Sequence, residues 1–482
     1  MLAPHMRVAI LSVALVLAAA CAKKKPGKLV PDKEIDELLA RTTERLKKSA
    51  AMNCPRPVLR GQASAGSATD KLTRLAVAEG SLARCKALLS DRDANESTYL
   101  ACKPISGPRS QRCTVRPFKA KPKTTTEFQS CVATYVEAVE SAVQHGDACS
   151  PNAREKPAEP IWADLTPIGQ AMTAEAWTRV AAGKAASALE IAFDSIRIGQ
   201  DFARGESGFI EAMLSASGLD WARLITVALV SRSKFSKEEI ARFIVEADAL
   251  IATDVSFASV IRGERIQALL EIGVRPLQSL KSGGPPPPGT DENLSPDEVI
   301  ATYAITALAA EASLDALDTT CPLSADLRTC AEGLEKRREM LDAKFASFKG
   351  KSVTEYLLSG SVEAEIREAL VGILETTLTG SDEKYLLKYG IRIVELAAIR
   401  LELELARLTL TSAGCPTLEA FTRATTGLRS PKALGGAISI DERDGFFLVL
   451  PPKWLIDRTG ALPRPISIKT IRLECPRSAT DE

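Results

Sequence analysis

Few residues in this chain have the type and spacing for chemistry. Only two histidines occur in 482 residues. One of them, His145 in "AVQHGDAC", lies beyond the first apolar stretch. Any Ser-His-Asp triad would run through it, yet no nucleophile can be assigned to it. At the end of a helix, just before Gly146, a histidine is a favourable charge against the helix dipole. Ser231 and Lys234 match the S-x-x-K spacing of serine acyl enzymes, but the companion motifs are missing. Glu264 sits in "VIRGERIQALLEIG" between Arg262 and Arg265, and Glu311 sits in "ALAAEASL". Two carboxylates facing each other in an open cleft, with raised pKa values, would suit hydrolysis of a glycan. Carboxylates paired with arginine and closed off would instead fix helix packing, which is the reading taken for Glu264. GxGxxG, Walker A, HExxH, GxSxG and EF-hand sequences are absent. No catalytic, cofactor or metal residue is assigned. Net charge is +1, which gives no electrostatic footprint for nucleic acid.

Cysteine is the most informative residue type. Eleven occur. Six lie close together: Cys54, Cys85, Cys102, Cys113, Cys131 and Cys149. Cys321 and Cys330 bracket "CPLSADLRTC", and Cys415 and Cys475 bracket the C-terminal segment. These ten make an even set, and disulfides are the natural reading in an oxidising compartment. The expected pairs are 321–330 and 415–475, with three bridges inside the first six, whose connectivity stays open among fifteen pairings. Zinc is disfavoured, because no C-x-x-C occurs and histidine is scarce.

The eleventh, Cys21, stands apart. A short positive start at Arg7 precedes the apolar run Val8 to Leu17, then Ala18, Ala19 and Ala20. Charge, apolar core and small-residue exit make a secretory signal, and the run is too short to span a bilayer. Small residues directly before a cysteine resemble the lipobox of bacterial lipoproteins, although Ala18 stands where that motif usually has leucine. The resemblance implies cleavage before Cys21, its acylation, and membrane attachment through several acyl chains. Ala22 following the cysteine, rather than aspartate, implies the outer membrane by the same resemblance. Lys23 to Lys28 (KKKPGK) then reads as a tether.

The rest must position whatever the protein binds. Aromatic residues are only 5% of the chain, while alanine, leucine and glutamate abound, a helical composition. The segments expected are a signal at 1–20, an anchored tether and helix at 21–53, and a cysteine-rich helical module at 54–150. A helical body follows at 161–412 with a Pro-rich loop at 282–290, and a small α+β cap closes the chain at 413–482. Helices are predicted over Pro31–Ala51, Ala68–Leu89, Thr126–Gln144, Trp162–Ala182, Lys184–Arg204, Phe209–Val230, Ser236–Ile251, Val255–Leu280, Pro296–Thr319, Ala325–Phe348, Val353–Leu378 and Glu383–Thr411. Ser236 with Glu239 forms a capping box. The segment between Cys102 and Thr126 reads as a turn-rich basic loop. In the cap, Ile438 and Ile440 begin a hairpin that turns at Arg443 to Gly445 and returns over Phe446–Leu450, with a third strand at Ile466–Cys475.

The segment "VAAGKAASALEIAFDSIRIGQDFARGES" resembles a tetratricopeptide-like helical hairpin over about one repeat, without a sustained 34-residue period. The stretch 162–414 is also similar to helical proteins of bacterial envelopes. The expected architecture is mainly α, with antiparallel helical hairpins packed as a bundle or repeat-like solenoid. The function expected is that of a non-enzymatic envelope lipoprotein. Its partners would be the membrane, through the anchor, and a protein, peptide or glycan on the helical surface. The alternative is a hydrolase working through Glu264 and Glu311 on cell-wall or exported polymer.

Overall fold

The structure is a computed structural model. It describes residues 32–53, 56–68, 72, 81–90, 100–104, 111–115, 125–148, 166–204, 235–253, 256–287, 295–346, 434–443, 446–450, 452–460 and 471–474, with isolated positions between 404 and 423. These are mainly helical. The chain divides into two compact units, one of 1–49, 258–325 and 329–389, the other of 50–257, 326–328 and 390–482. Among the described residues no helix is long and apolar enough to cross a membrane.

In the first unit, helix α1 (Asp32–Asn53) opens with Asp32 and Glu34, which suit the positive end of its dipole. It runs beyond Lys47 and Lys48, so no basic residue occupies its last turn. Ile35 and Leu38 bury on one face with Leu269, Leu270, Val274, Ala307 and Leu314. The helix predicted over Val255–Leu280 is interrupted. It forms α7 (Phe257–Leu269), a π turn (Leu270–Val274) and α8 (Arg275–Lys281). The cause is Pro276, which lacks an N–H and would clash with the carbonyl four residues back in a regular helix. At the same place Gly273 meets α9 (Pro296–Thr320) so closely that a Cβ there would lie 2.6 Å from the Ala307 Cβ. Helix α10 (Leu327–Ala346) follows, and Cys321 and Cys330 form the expected bridge with Cα atoms 4.5 Å apart.

The second unit packs α2 (Ser81–Ser90), α3 (Thr125–Val143), α4 (Thr166–Ala181), α5 (Ala185–Arg204) and α6 (Lys237–Ala252) around one apolar core. Helices α4 and α5 are an antiparallel hairpin turning at Gly183, whose φ of 73° favours glycine. The capping box at α6 forms as read: Ser236 and Glu239 each accept the other's backbone N–H. The segment between Cys102 and Thr126 is not all loop. β2 (Leu100–Pro104) and β3 (Gln111–Val115) pair antiparallel inside it. β1 (Ser64–Ser67) pairs parallel with β4 (His145–Asp147). The C-terminal sheet has antiparallel order β5 (Ser439–Arg443), β6 (Phe446–Leu450), β7 (Ile471–Glu474), with α11 (Lys453–Gly460) between the last two. Glu404, Arg407, Leu408, Leu410 and Thr411 are helical, within the helix predicted over Glu383–Thr411. The helices expected at 209–230 and 353–378 lie outside the described residues.

Candidate functional site

Among the described residues of the second unit, helix α5 carries the largest set of buried charged side chains. Its apolar stripe, Ala188, Ile191, Ala192 and Ile196, is buried as the sequence suggests. The opposite face is buried too, and it is polar: Asp194, Arg197, Gln200 and Asp201. Burying such groups costs several kcal/mol per ion (~3–5 when a partner is missing) unless each is paired. The partners come from the segment after α1. The fully buried Arg56 pairs with Asp201 at 2.7 Å and donates to the carbonyls of Val143 and Ala142, both at 3.3 Å. It thereby occupies the orphan carbonyls at the end of α3. Arg60 pairs with Asp194 and with Glu246 of α6, the latter at 2.5 Å, and donates to the Glu190 carbonyl at 3.3 Å. Arg197 donates to Thr253 Oγ1 at 2.9 Å, and Gln200 donates to the Leu250 carbonyl at 2.9 Å. Both therefore reach the C-terminal end of α6.

Charge does not balance around Arg60. Asp194, Glu190 and Glu246 face Arg60 and Arg242, the latter 2.6 Å from Glu190 and stacked 4.6 Å from the Phe243 ring centre. Burial pushes Asp194 up to about 7, against the pull of Arg60. Burial also raises Glu246, opposed by Arg60 and Arg242. Burial alone would lower Arg60, but Asp194, Glu246 and Glu190 outweigh it and hold the guanidinium above its ordinary value.

His145 lies beyond the last turn of α3 and belongs to a strand. Helix α3 stops at Val143, and His145 begins β4, paired to β1. Its Nδ1 lies 2.9 Å from Ser64 Oγ, which is also 3.2 Å from the Gln144 carbonyl. The hydroxyl can donate to that carbonyl and accept from Nδ1–H. Gly66, at φ 114°, packs against the ring so closely that a Cβ would lie 3.2 Å from Cε1. A catalytic histidine has its second nitrogen oriented by a carboxylate. Here Nε2 is buried with no hydrogen-bond partner among the described residues. The pair locks β1 to β4.

Glu311 is closed by Arg41 of α1, whose Nε and Nη2 reach its two oxygens at 3.1 and 2.8 Å. The hydrogen bond to Glu311 raises the Arg41 guanidinium further. One turn on, Arg45 pairs with Asp315. Arg262 pairs with Asp318 of α9, so the partner described for Arg262 is that aspartate and not the neighbouring Glu264. The Glu264 side chain lies outside the described residues, as do Ser231, Lys234, Cys21, Cys54, Cys149, Cys415 and Cys475. The Cys85–Cys131 bridge joins α2 to α3 with Cα atoms 5.3 Å apart. Arg56, Arg60, Asp194, Asp201 and Glu246 were not singled out in the sequence. The available signal was Asp194 and Asp201, seven apart on one face of a helix whose other face is an apolar stripe. Comparison with known protein families, with curated proteins and with solved structures finds nothing that matches this chain.

Proposed function

We propose that this chain is a non-enzymatic lipoprotein of a bacterial envelope, anchored through acylated Cys21, whose helical body is a scaffold for a protein, peptide or glycan partner. The observation that carries the reading is the bidentate closure of Glu311 by Arg41. A carboxylate held on both oxygens is engaged in packing, as a scaffold requires, and is not poised as an acid. The α4–α5 hairpin supports this reading, since helical hairpins of this kind, when stacked, form concave binding surfaces. The outer membrane is the proposed address, on the signal-like run before Cys21 and Ala22 after it.

The test is intact mass spectrometry of protein from the native membrane fraction, without reduction, followed by cross-linking there. The expected mass is that of 21–482 plus acyl chains, with defined cross-linked partners. A lipid-free mass cut elsewhere refutes the anchor. Turnover of cell-wall polymer that Glu311→Gln abolishes without loss of fold refutes the scaffold.

A further inference from the structure

The six cysteines from Cys54 to Cys149 admit fifteen pairings. The bridge Cys85–Cys131 removes all but three. The β2–β3 register then sets Cys102 directly opposite Cys113. Residues opposed across antiparallel strands have Cα atoms about 4.5–5.5 Å apart. That lies inside the ~4.4–6.8 Å window a disulfide spans. Cys54 and Cys149 remain, and independent contacts bring their neighbourhoods together. The Arg56 N–H donates to the Gly146 carbonyl at 3.0 Å, and its guanidinium holds the end of α3. Further along, the Ser64 N–H donates to the Gln144 carbonyl at 2.8 Å, and β1 pairs with β4. Cys54 is two positions before Arg56 and Cys149 three after Gly146. Five extended residues cover up to roughly 16 Å, well beyond the separation a bridge needs.

We infer that the module is closed by three nested bridges, Cys54–Cys149, Cys85–Cys131 and Cys102–Cys113. The outermost ties the segment carrying Arg56 to the strand carrying His145. The innermost pins the β2–β3 hairpin, and the middle one joins the two helices. Each bridge forms by thiol–disulfide exchange with a disulfide-bonded donor. Two cysteine thiols lose two protons and two electrons as their sulfurs join, and the donor leaves as its dithiol. No thiol in the module is then left for metal or for exchange with a partner. The inference is independent of the lipid anchor.

The test uses the full chain from an oxidising compartment, alkylated without reduction in acid so that no exchange occurs. Trypsin alone leaves Cys131 and Cys149 on one peptide, 124–154, so a second cleavage at Glu137 or Glu140 is needed. Mass spectrometry is expected to find three cross-linked peptide pairs with the stated partners and no alkylated cysteine among the six. A link from Cys54 or Cys149 to Cys102 or Cys113, or alkylation at any of the six, overturns the inference.

Discussion

Replacing Asp194 by asparagine tests the charge imbalance beside α5. Three carboxylates share two guanidinium groups there, and Asp194 and Glu246 are both buried. The Asp194 carboxyl rises from 3.8 in the open chain to about 7 in the fold. A raised folded-state value means that the native protein holds the proton more tightly than the unfolded chain. The stabilisation is complete below 3.8 and is lost as pH climbs through about 7. About three pH units correspond to a loss on the order of 4 kcal/mol between those limits. In Asp194→Asn the site is neutral at every pH, and Glu246 still answers Arg60 while Glu190 answers Arg242. The variant should therefore match the wild type only below pH 3.8, gain on it steadily from there to about pH 7, and hold a constant advantage above that. Glu246 contributes a slope of the same sign in both proteins, and the difference between them reports Asp194 together with its repulsion from Glu246. Urea unfolding followed by circular dichroism at 222 nm, at intervals from pH 4.5 to 8.5, measures that difference. If the variant is uniformly less stable, or the gap does not change with pH, Asp194 is ionised throughout and the reasoning fails.

Two other perturbations probe the first unit. Arg41→Ala should cost about 1–3 kcal/mol, because it leaves Glu311 buried without its bidentate partner; denaturant midpoints measure this, and adding Glu311→Gln should recover part of the loss. Gly273→Ala should cost about 1–3 kcal/mol through overpacking against Ala307. Adding Ala307→Gly should restore part of the loss, and an unaltered midpoint in the single variant would show that the π turn absorbs the methyl group.

Local features were legible in the sequence because their physics is local. Ser236 and Glu239 are three apart, and both halves of the capping box form. Cys321 and Cys330 are nine apart and could find each other without knowledge of the fold. The strands at Ser439–Arg443 and Phe446–Leu450 follow from a turn signal at Asp444 and Gly445 before a continuous apolar run. The ionic partners of the candidate site were not legible. Arg60 is 134 positions from Asp194 and 186 from Glu246, and Arg41 is 270 from Glu311. A charge in a helix records that it needs a partner but not which one. Glu311 stood out as an acid among alanines and leucines, while nothing marked Arg41. The β2–β3 strands were missed because lysine, proline and glycine around them dominate the turn signal, and five-residue strands add little to outweigh it.

The segment between Arg56 and Arg60 explains how a helix this polar can be buried on every side. Arg56 meets Asp201 and Arg60 meets Asp194, so the segment runs antiparallel to α5. Asp194 and Asp201 are separated by about 10.5 Å along a helix axis, and four extended residues reach roughly 13 Å. Four residues of strap therefore suffice to set one arginine against each aspartate. Buried ion pairs contribute little net stability against an apolar alternative, but breaking one costs about 3–5 kcal/mol. What they impose is a penalty on any packing of α5 that separates Arg56 from Asp201 or Arg60 from Asp194. Leu59 adds an apolar contact to the core between the two arginines. The inferred Cys54–Cys149 bridge would fasten the strap two residues before Arg56, so covalent and ionic restraints would act on the same few residues.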